Sequence, residues 1–301
     1  MELSSQHKSV LVNEVVSALR PGPKKVFLDV TCGGGGHTKA LLDADPTVKV
    51  FALDWDMKAV ERLEPMVEQY AGRLTIVWGS FSHLYKISKK HGFPKFDGIL
   101  ADFGTSQDQI HTGDGFSFSN DTPLDMRMSL GHFKTTAEHV VNYATEQELR
   151  EIFWTYGEER RAKEIVYRII EERKKSKIRT TLQLARVVEL ALGAAHKGAI
   201  HPATKVFQAL RIFINKELEN ITAFLPVAFQ SLSVGGRLAC ISFHSLEDRL
   251  VKDFCKTIER EGRGSSVFQR PVTPTSEELI MNPSSRSSKL RVLEKIESTD
   301  V

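Results

Sequence analysis

The sequence predicts an α/β protein built on a mostly parallel sheet, interrupted by an inserted all-helical domain. Three observations carry this. Short apolar runs alternate with amphipathic helical stretches through the first third of the chain. From about residue 113 to residue 201 the helical period continues but no convincing strand is found. A buried-strand pattern then returns near the C-terminus, so the α/β domain is split in sequence.

Residues 26–30 (VFLDV) form a short apolar run that leads into glycines, the pattern of a buried parallel strand. Residues 48–53 (VKVFAL) repeat it and stop at Asp54; 74–78 (LTIVW) make a third strand and 96–101 (FDGILA) a fourth, ending at Asp102. Helical stretches lie between them at 38–42, 57–70 and 82–91. Such alternation implies helices on both faces of a parallel sheet. In the insert, 146–156 and 158–173 have helical periodicity with charged faces. Residues 180–192 open on a Thr cap and carry Leu182, Leu184, Ala185, Val188 and Leu192. Residues 174–179 read as a short basic linker. Gly235-Gly236 reads as a turn before a buried strand at 237–243 (RLACISF), with a helix at about 246–259. Runs at 267–271 and 290–295 suggest a closing antiparallel hairpin, which brings the sheet to seven strands; 273–288 is Ser/Pro-rich and reads as loop. The resulting domains are 1–110 and 205–301 for the split α/β part and 111–204 for the helical insert.

Composition sets limits on function. The chain is 41% hydrophobic and 26% charged over 301 residues, an ordinary globular balance with enough length for a real core. A net charge of +3 is too small to indicate nucleic acid by itself, so the placement of the charges matters. Cys32, Cys240 and Cys255 are widely spaced with no CxxC pair, which suggests neither a disulfide framework nor a zinc site; no metal is expected. A reducing compartment fits. The first residues lack an apolar or Arg-rich targeting pattern, and no apolar run is long enough to cross a bilayer. A cytoplasmic protein without membrane partners is expected.

The strongest local signal is Asp29-Val-Thr-Cys-Gly33-Gly-Gly35-Gly36-His37, directly after the first strand. Glycines there let the backbone turn and approach a ligand, and open α/β sheets bind ligands at the carboxyl ends of their strands. A nicotinamide fingerprint needs a glycine at position 38, where this chain has Thr38. The spacing acid-x-x-x-Gly-x-Gly instead resembles the first motif of class I methyltransferases. Asp54, at the end of the second strand, is placed to accept from ribose hydroxyls. The structural alternatives are a flexible loop at Gly33–Gly36 and a helix cap at Asp54.

Longer stretches carry a more specific resemblance. They are His7-Lys-Ser-Val-Leu-Val-Asn-Glu14, Gly35-Gly36-His37, Asp102-Phe-Gly-Thr-Ser-Gln-Asp-Gln109, Gly115-Phe-Ser-Phe118, Leu124-Asp-Met-Arg-Met128 and Tyr156-Gly-Glu-Glu159. They continue with His201-Pro-Ala-Thr204, Phe207-Gln-Ala-Leu-Arg-Ile212 with Asn215, Ile241-Ser-Phe-His-Ser-Leu-Glu-Asp-Arg249, and Asn282-Pro283 with Arg286-Ser-Ser-Lys-Leu-Arg291. From end to end the chain resembles the bacterial 16S rRNA cytosine-N4 methyltransferase family. The resemblance implies a Rossmann-like class I fold and S-adenosylmethionine as cofactor. It implies methyl transfer to the decoding-centre cytidine of 16S rRNA within the small ribosomal subunit. Cofactor contacts would be Gly35, Gly36, His37, Asp54, Phe81, Asp102 and Gln109. Phe81 could flank the adenine, or be a core aromatic. The oligomeric state stays open, a homodimer being one option. Departures from the family pattern are Gln107 and Asp108 for a Ser-Pro pair, Asp114 for an Arg, and Ser284 and Ser285 in the basic terminal motif. A lost base and gained acids near RNA would weaken phosphate contacts.

The chemistry is demanding because the cytosine amine is delocalised into its ring and must be oriented toward the methyl group. Asp102 is a candidate for that, or for cofactor binding alone. Many amino-methyltransferases place Asp/Asn-Pro-Pro-aromatic here, whereas this chain has Asp102-Phe-Gly-Thr. His244 and Glu247, with Asp248, are candidate catalytic or base-recognition groups after the fifth strand; the alternative is a loop histidine and first-turn helix acids. Asp125, Arg127 and the Arg211–Asn215 segment could couple the insert to the active site, or be ion-paired structure. The insert's Arg160, Arg161, Lys163, Arg168 and the run Arg173–Arg179 are phosphate candidates or solvated faces paired with glutamates. A different RNA target, or an assembly factor that holds the cofactor without turnover, are the competing functions.

Overall fold

The computed structural model describes residues 9–105, 114–193 and 201–296. It divides into two compact units, residues 1–104 with 218–301, and residues 105–217.

The first unit holds a seven-stranded sheet. Its strands are β1 (Val26–Asp29), β2 (Lys49–Asp54), β3 (Leu74–Trp78), β4 (Phe96–Asp102), β5 (Leu232–Ser242), β6 (Gly264–Ser266) and β7 (Lys289–Lys295). They lie in the order β3-β2-β1-β4-β5-β7-β6, with only β7 antiparallel to its neighbours. The chain winds outward from β1 to β3, then returns to place β4 on the other side of β1. The β1–β4 boundary is therefore the switch point at which a doubly wound sheet opens a crevice at its carboxyl edge. Asp29 ends β1 and Asp102 ends β4, so this topology brings both acids to that edge.

Helices α1 (Val12–Leu19), α2 (Gly36–Ala44), α3 (Met57–Gln69) and α4 (Leu84–His91) cover the sheet. Alternate strand residues feed opposite faces, as a period of two requires. Phe27, Leu100 and Ile241 pack with Leu41 and Leu63 on one side. Leu28, Ile99 and Cys240 pack with Phe224 and Phe229 on the other. The three cysteines are buried and form no disulfide.

The second unit contains α5 (Ala137–Tyr143), α6 (Glu146–Gly157), α7 (Ala162–Lys175), α8 (Thr181–Leu192) and α9 (Thr204–Asn215). Thr145 and Thr180 build capping boxes with Glu148 and Gln183, so both helix starts are written locally. Phe153, Ile165, Ile169, Leu184, Val188 and Leu210 form its core.

Several expectations move. The sequence boundary at 204/205 cuts α9 away from the insert, yet Val206, Phe207, Leu210 and Ile214 are packed in the insert's core. The division between units falls at 217/218 instead, at the start of α10 (Glu217–Ser231). Gly235-Gly236 is not a turn before β5 but lies inside it, where the register with β4 shifts between Phe96 and Gly98. A Cβ on Gly236 would stand 2.8 Å from the Phe96 carbonyl oxygen. The closing hairpin exists, but its first strand is Gly264–Ser266; 267–272 follows alongside β7 through Val267 and Val272 only. Within the expected loop at 273–288 there is a short helix, α12 (Ser276–Met281), capped by Thr275, and a 3-10 turn, Pro283–Ser287. α11 (Ser245–Arg260) follows β5 as expected. No helix of the described residues is long and apolar enough to cross a membrane.

Candidate active site

Four acids meet around the carboxyl edge of the sheet. Asp29 is buried; its carboxylate accepts from Thr38 Oγ1 at 2.7 Å and from the Thr31 amide at 3.2 Å. Thr38, the residue that breaks the nicotinamide fingerprint, is thus the donor that satisfies a buried carboxyl. Burial still pushes Asp29 up to about 6, against the lowering effect of those two hydrogen bonds. Asp54 is also raised to about 6, by burial first. Its oxygens accept from the Gly33 amide at 2.9 Å and the Asp56 amide at 2.9 Å, which ties the glycine loop to the end of β2.

Asp102 differs from both. Its amide donates to Thr31 Oγ1 at 2.7 Å, which fixes the backbone. Among the described residues its Oδ1 has no hydrogen-bond partner, and it is hidden from solvent. Burial, then the nearby charges of Asp29 and Glu247, hold its carboxyl well above the ordinary range. The same field acts on Cys32, whose thiol is raised by burial, then by Asp54 and Asp29. A carboxyl held in this way lacks a cation, and perturbed acids in a crevice are the signature of a site rather than of packing.

The glycines divide into two kinds. A Cβ on Gly34 would meet nothing within 4 Å, and one on Gly33 only the Thr31 carbonyl oxygen at 3.9 Å. A Cβ on Gly35 would run into Leu63 Cδ2 at 2.5 Å and Met66 Sδ at 2.9 Å, and its φ is +79°. One on Gly36 would strike the Ser9 hydroxyl. Gly35 is therefore required by packing against α3 and by its left-handed backbone, whereas at Gly36 the constraint is the close approach of Ser9. The open faces belong to Gly33, the first glycine of the acid-x-x-x-Gly-x-Gly spacing, and to Gly34; neither is among the cofactor contacts that the resemblance implies.

His37 is buried, with Nε2 2.8 Å from the Val10 carbonyl oxygen and Nδ1 4.0 Å from Asp102 Oδ2. Phe81 follows β3 in a 3-10 turn capped by Ser80. It joins a ring cluster, with centroids 5.3 Å from Phe224, 5.9 Å from Phe103 and 6.0 Å from Trp55. Trp55 directly follows Asp54 and extends the cluster toward the loop; nothing in its sequence context marked it. Gln109, with Gln107 and Asp108, lies outside the described residues.

His244 caps α11, and Glu247 completes a capping box with it. Glu247 is fully buried; Oε2 accepts from the Phe243 amide at 2.7 Å, and Oε1 stands 3.2 Å from His244 Nε2. The helix-capping reading of these two residues is thus realised, but among the described residues His244 Nε2 and Glu247 Oε1 are buried without a hydrogen-bond partner, as Asp102 Oδ1 is. A Cβ on Gly104 would still reach Glu247 Oε1 at 3.9 Å, so the acid lies close behind the β4 edge. Asp248 leaves the site altogether. It pairs with Arg291 at 2.6 and 3.1 Å, and that pairing outweighs burial and lowers its carboxyl.

The helical unit presents paired charges. Arg127 holds Asp125 through two bonds of 2.7 Å, and Arg211 holds Glu217 through two of 2.8 Å. Asn215 is fully buried, accepting from the Met128 amide and donating to the Met126 and Arg211 carbonyls, each at 2.8 Å. It clamps the segment in which Met126 takes φ +65°. Within the basic run, Arg173 donates to the Val141 and Ala144 carbonyls at 2.9 and 2.8 Å, so it closes the C-terminus of α5. Lys174 and Lys175 are exposed and reach Glu171 and Glu172 at 2.6 and 3.1 Å, and Lys177 sits on Tyr143.

Known proteins agree along the whole chain. Residues 4–296 match the MraW methylase family. "Ribosomal RNA small subunit methyltransferase H" of Coprothermobacter proteolyticus is 43% identical over 96% of this chain and 96% of its own. The protein of the same name in Thermomicrobium roseum is 42% identical over 98% of this chain and 95% of its own. Among solved structures, an rRNA methylase from Streptococcus thermophilus covers 97% of this chain and 100% of its own, at 10% identity and a TM-score of 0.46. With a glycine loop, strand-terminal acids and a full-length match, the chain belongs to the MraW methylase family.

Proposed function

We propose that this protein transfers the methyl group of S-adenosylmethionine to the exocyclic N4 of a cytidine in 16S rRNA, acting on the small ribosomal subunit in the cytoplasm. The observation that carries the substrate is the 43% identity, over 96% of the chain, to a protein named as a small-subunit ribosomal RNA methyltransferase.

The chemistry of the first unit suits that cofactor. A sulfonium is a cation, and Asp102 Oδ1 is a buried carboxyl oxygen without a partner. A ribose offers hydroxyl donors, and Asp54 presents acceptor oxygens beside the loop. An adenine offers a flat face to Phe81 and Trp55. The open backbone of Gly33 and Gly34 leaves room for the amino-acid end. When bound, the cofactor supplies an electrophilic methyl group; the protein has to orient the amine and exclude water.

Each residue then has a stated task. Asp102 would hold the sulfonium end of the cofactor and would be an acceptor for an amine N–H of the target base. His37 acts through Asp102 as a positioning residue, since its Nε2 is spent on Val10. Thr31 holds the Asp102 backbone, and Glu247 holds the chain after β5 while adding negative potential. Gly35 and Gly36 set the loop by packing, and Gln109 completes the contacts that the resemblance implies. The exposed Lys174, Lys175 and Arg179 are the phosphate contacts of an insert that recognises RNA. The target cytidine is splayed out of its stack to reach the edge of the sheet.

The test is methyl-labelled S-adenosylmethionine incubated with unmodified small subunits, naked 16S rRNA and cytosine-containing DNA, with nucleoside mass spectrometry of the digests. N4-methylcytidine from a ribosomal acceptor is expected. Cofactor binding with no label in any acceptor would overturn the assignment in favour of a non-catalytic assembly factor or another RNA target.

A further inference from the structure

We propose that Asp102 reads the charge on the sulfur of its adenosyl ligand, carrying a proton in the ligand-free protein, losing it against a sulfonium and keeping it against a thioether. The inference rests on the cofactor reading above and adds a discrimination between substrate and product at the same site.

The geometry leaves the Asp102 carboxyl with acids on several sides and little to balance them. On β1, Asp29 is buried and has spent its oxygens on Thr38 and Thr31. At the end of β2, Asp54 has spent its own on Gly33 and Asp56. After β5, Glu247 is fully buried beside His244 at 3.2 Å. From α2, His37 approaches with Nδ1 at 4.0 Å, beyond hydrogen-bond range, while its Nε2 meets Val10. Among the described residues of this unit, no lysine or arginine lies within ion-pairing distance of Asp102. Oδ1 meanwhile is hidden from water with no donor. About 20% of the side chain stays exposed, so an ionised carboxylate there would be partly desolvated and repelled, which favours the neutral acid until a cation arrives. The direction of the Asp102 shift, well above the ordinary carboxylate range, agrees.

A sulfonium supplies the missing cation, and a thioether of nearly the same shape does not. Binding the first must then expel a proton; binding the second need not. Below the pH at which ligand-free Asp102 titrates, affinity for S-adenosylmethionine should rise by about tenfold per pH unit, while affinity for S-adenosylhomocysteine stays flat. The amino-acid ends of the two ligands carry the same groups, but the sulfonium lowers the pKa of its own ammonium, so each free ligand's titration is measured and subtracted before the comparison. A site that prefers its proton penalises the charged cofactor and not the neutral product, so exchange of product for cofactor should become easier as pH rises.

The experiment is isothermal titration of the full chain with each ligand in two buffers of different ionisation enthalpy, across pH 6 to 8. Infrared difference spectra of the ligand-free and bound protein accompany it. Net proton release with S-adenosylmethionine alone is expected, together with a carboxylic-acid C=O band that this ligand removes and S-adenosylhomocysteine does not. Asp102→Asn should abolish both signals and narrow the preference between the ligands. Should that variant fail to fold, the two-ligand contrast in wild type decides. Equal proton counts and parallel pH profiles overturn the proposal, as does release without an acid band, which would assign the proton to His37. Failure of both ligands to bind removes the cofactor reading itself, a result distinct from the others.

Discussion

The helical unit and the carboxyl edge of the sheet treat charge in opposite ways. In the helical unit, Asp125 faces Arg127, Glu217 faces Arg211, and Asn215 satisfies three backbone groups. In the α/β unit, Asp29, Asp54 and Asp102 are brought to one sheet edge, and all three are raised by burial. The first arrangement keeps a fold specific, because its polar groups stabilise each other. The second costs stability and persists because a ligand completes it. The difference separates residues that hold the protein from residues that use it.

The largest expected effect tests that separation directly. Asp102→Ala should lower transfer by about a hundredfold to a thousandfold, the scale of losing one preorganised electrostatic group. Its thermal midpoint should stay level or rise, because the deleted oxygen had no partner. Activity within tenfold of wild type would end the proposed role, and a large loss of stability would erase the contrast between the units.

Asn215→Ala is the converse. It strands the Met128 amide and two carbonyls in a dry core, and should cost about 3 kcal/mol in urea denaturation. S-adenosylmethionine affinity should be untouched. A change under about 0.5 kcal/mol, within the usual range of surface substitutions, would show that the clamp is dispensable.

The glycine loop sharpens the comparison inside one motif. Gly35→Val should cost roughly 1–3 kcal/mol from overpacking against Leu63 and Met66, with added strain at φ +79°. Gly34→Ala should leave stability unchanged and weaken the cofactor alone, because its Cβ enters open space. Calorimetric affinities and melting curves for the two variants should therefore sort in opposite order.

The smallest effect is in the pH dependence. Asp29 is an acid whose folded value, about 6, lies above its ordinary 3.8. Its neutral form is thus favoured by folding, so its contribution is present at low pH and lost as pH rises from about 4 to about 6. Relative to wild type, Asp29→Asn should gain stability across that window. Parallel stability curves between pH 4 and pH 7 would contradict the burial effect.

Much of the site was legible because strand-terminal acids and glycines are local signals. Asp54 and Asp102 each end a short apolar run, and a parallel sheet sends such ends to one edge. The helix start at Thr180 was equally local. What was not legible required a partner distant in sequence. Asp248 looked like a candidate for the site until Arg291, 43 residues later, claimed it. His37 reads as a ligand contact, and only the fold shows that its Nε2 is held by Val10, 27 residues earlier, while Nδ1 faces Asp102. Trp55 and Phe224 come together with Phe81 only through the fold.

The sequence alone determined the fold class, the strand-terminal acids and the family, since alternation, spacing and long motifs are properties of neighbours along the chain. Tertiary structure alone decided which glycines face open space and which face Leu63 and Ser9, where the insert ends, and which carboxyl lacks a donor. Those depend on what each atom meets across the fold, and desolvation, the force that sets Asp102 apart, exists only once the chain has closed around it.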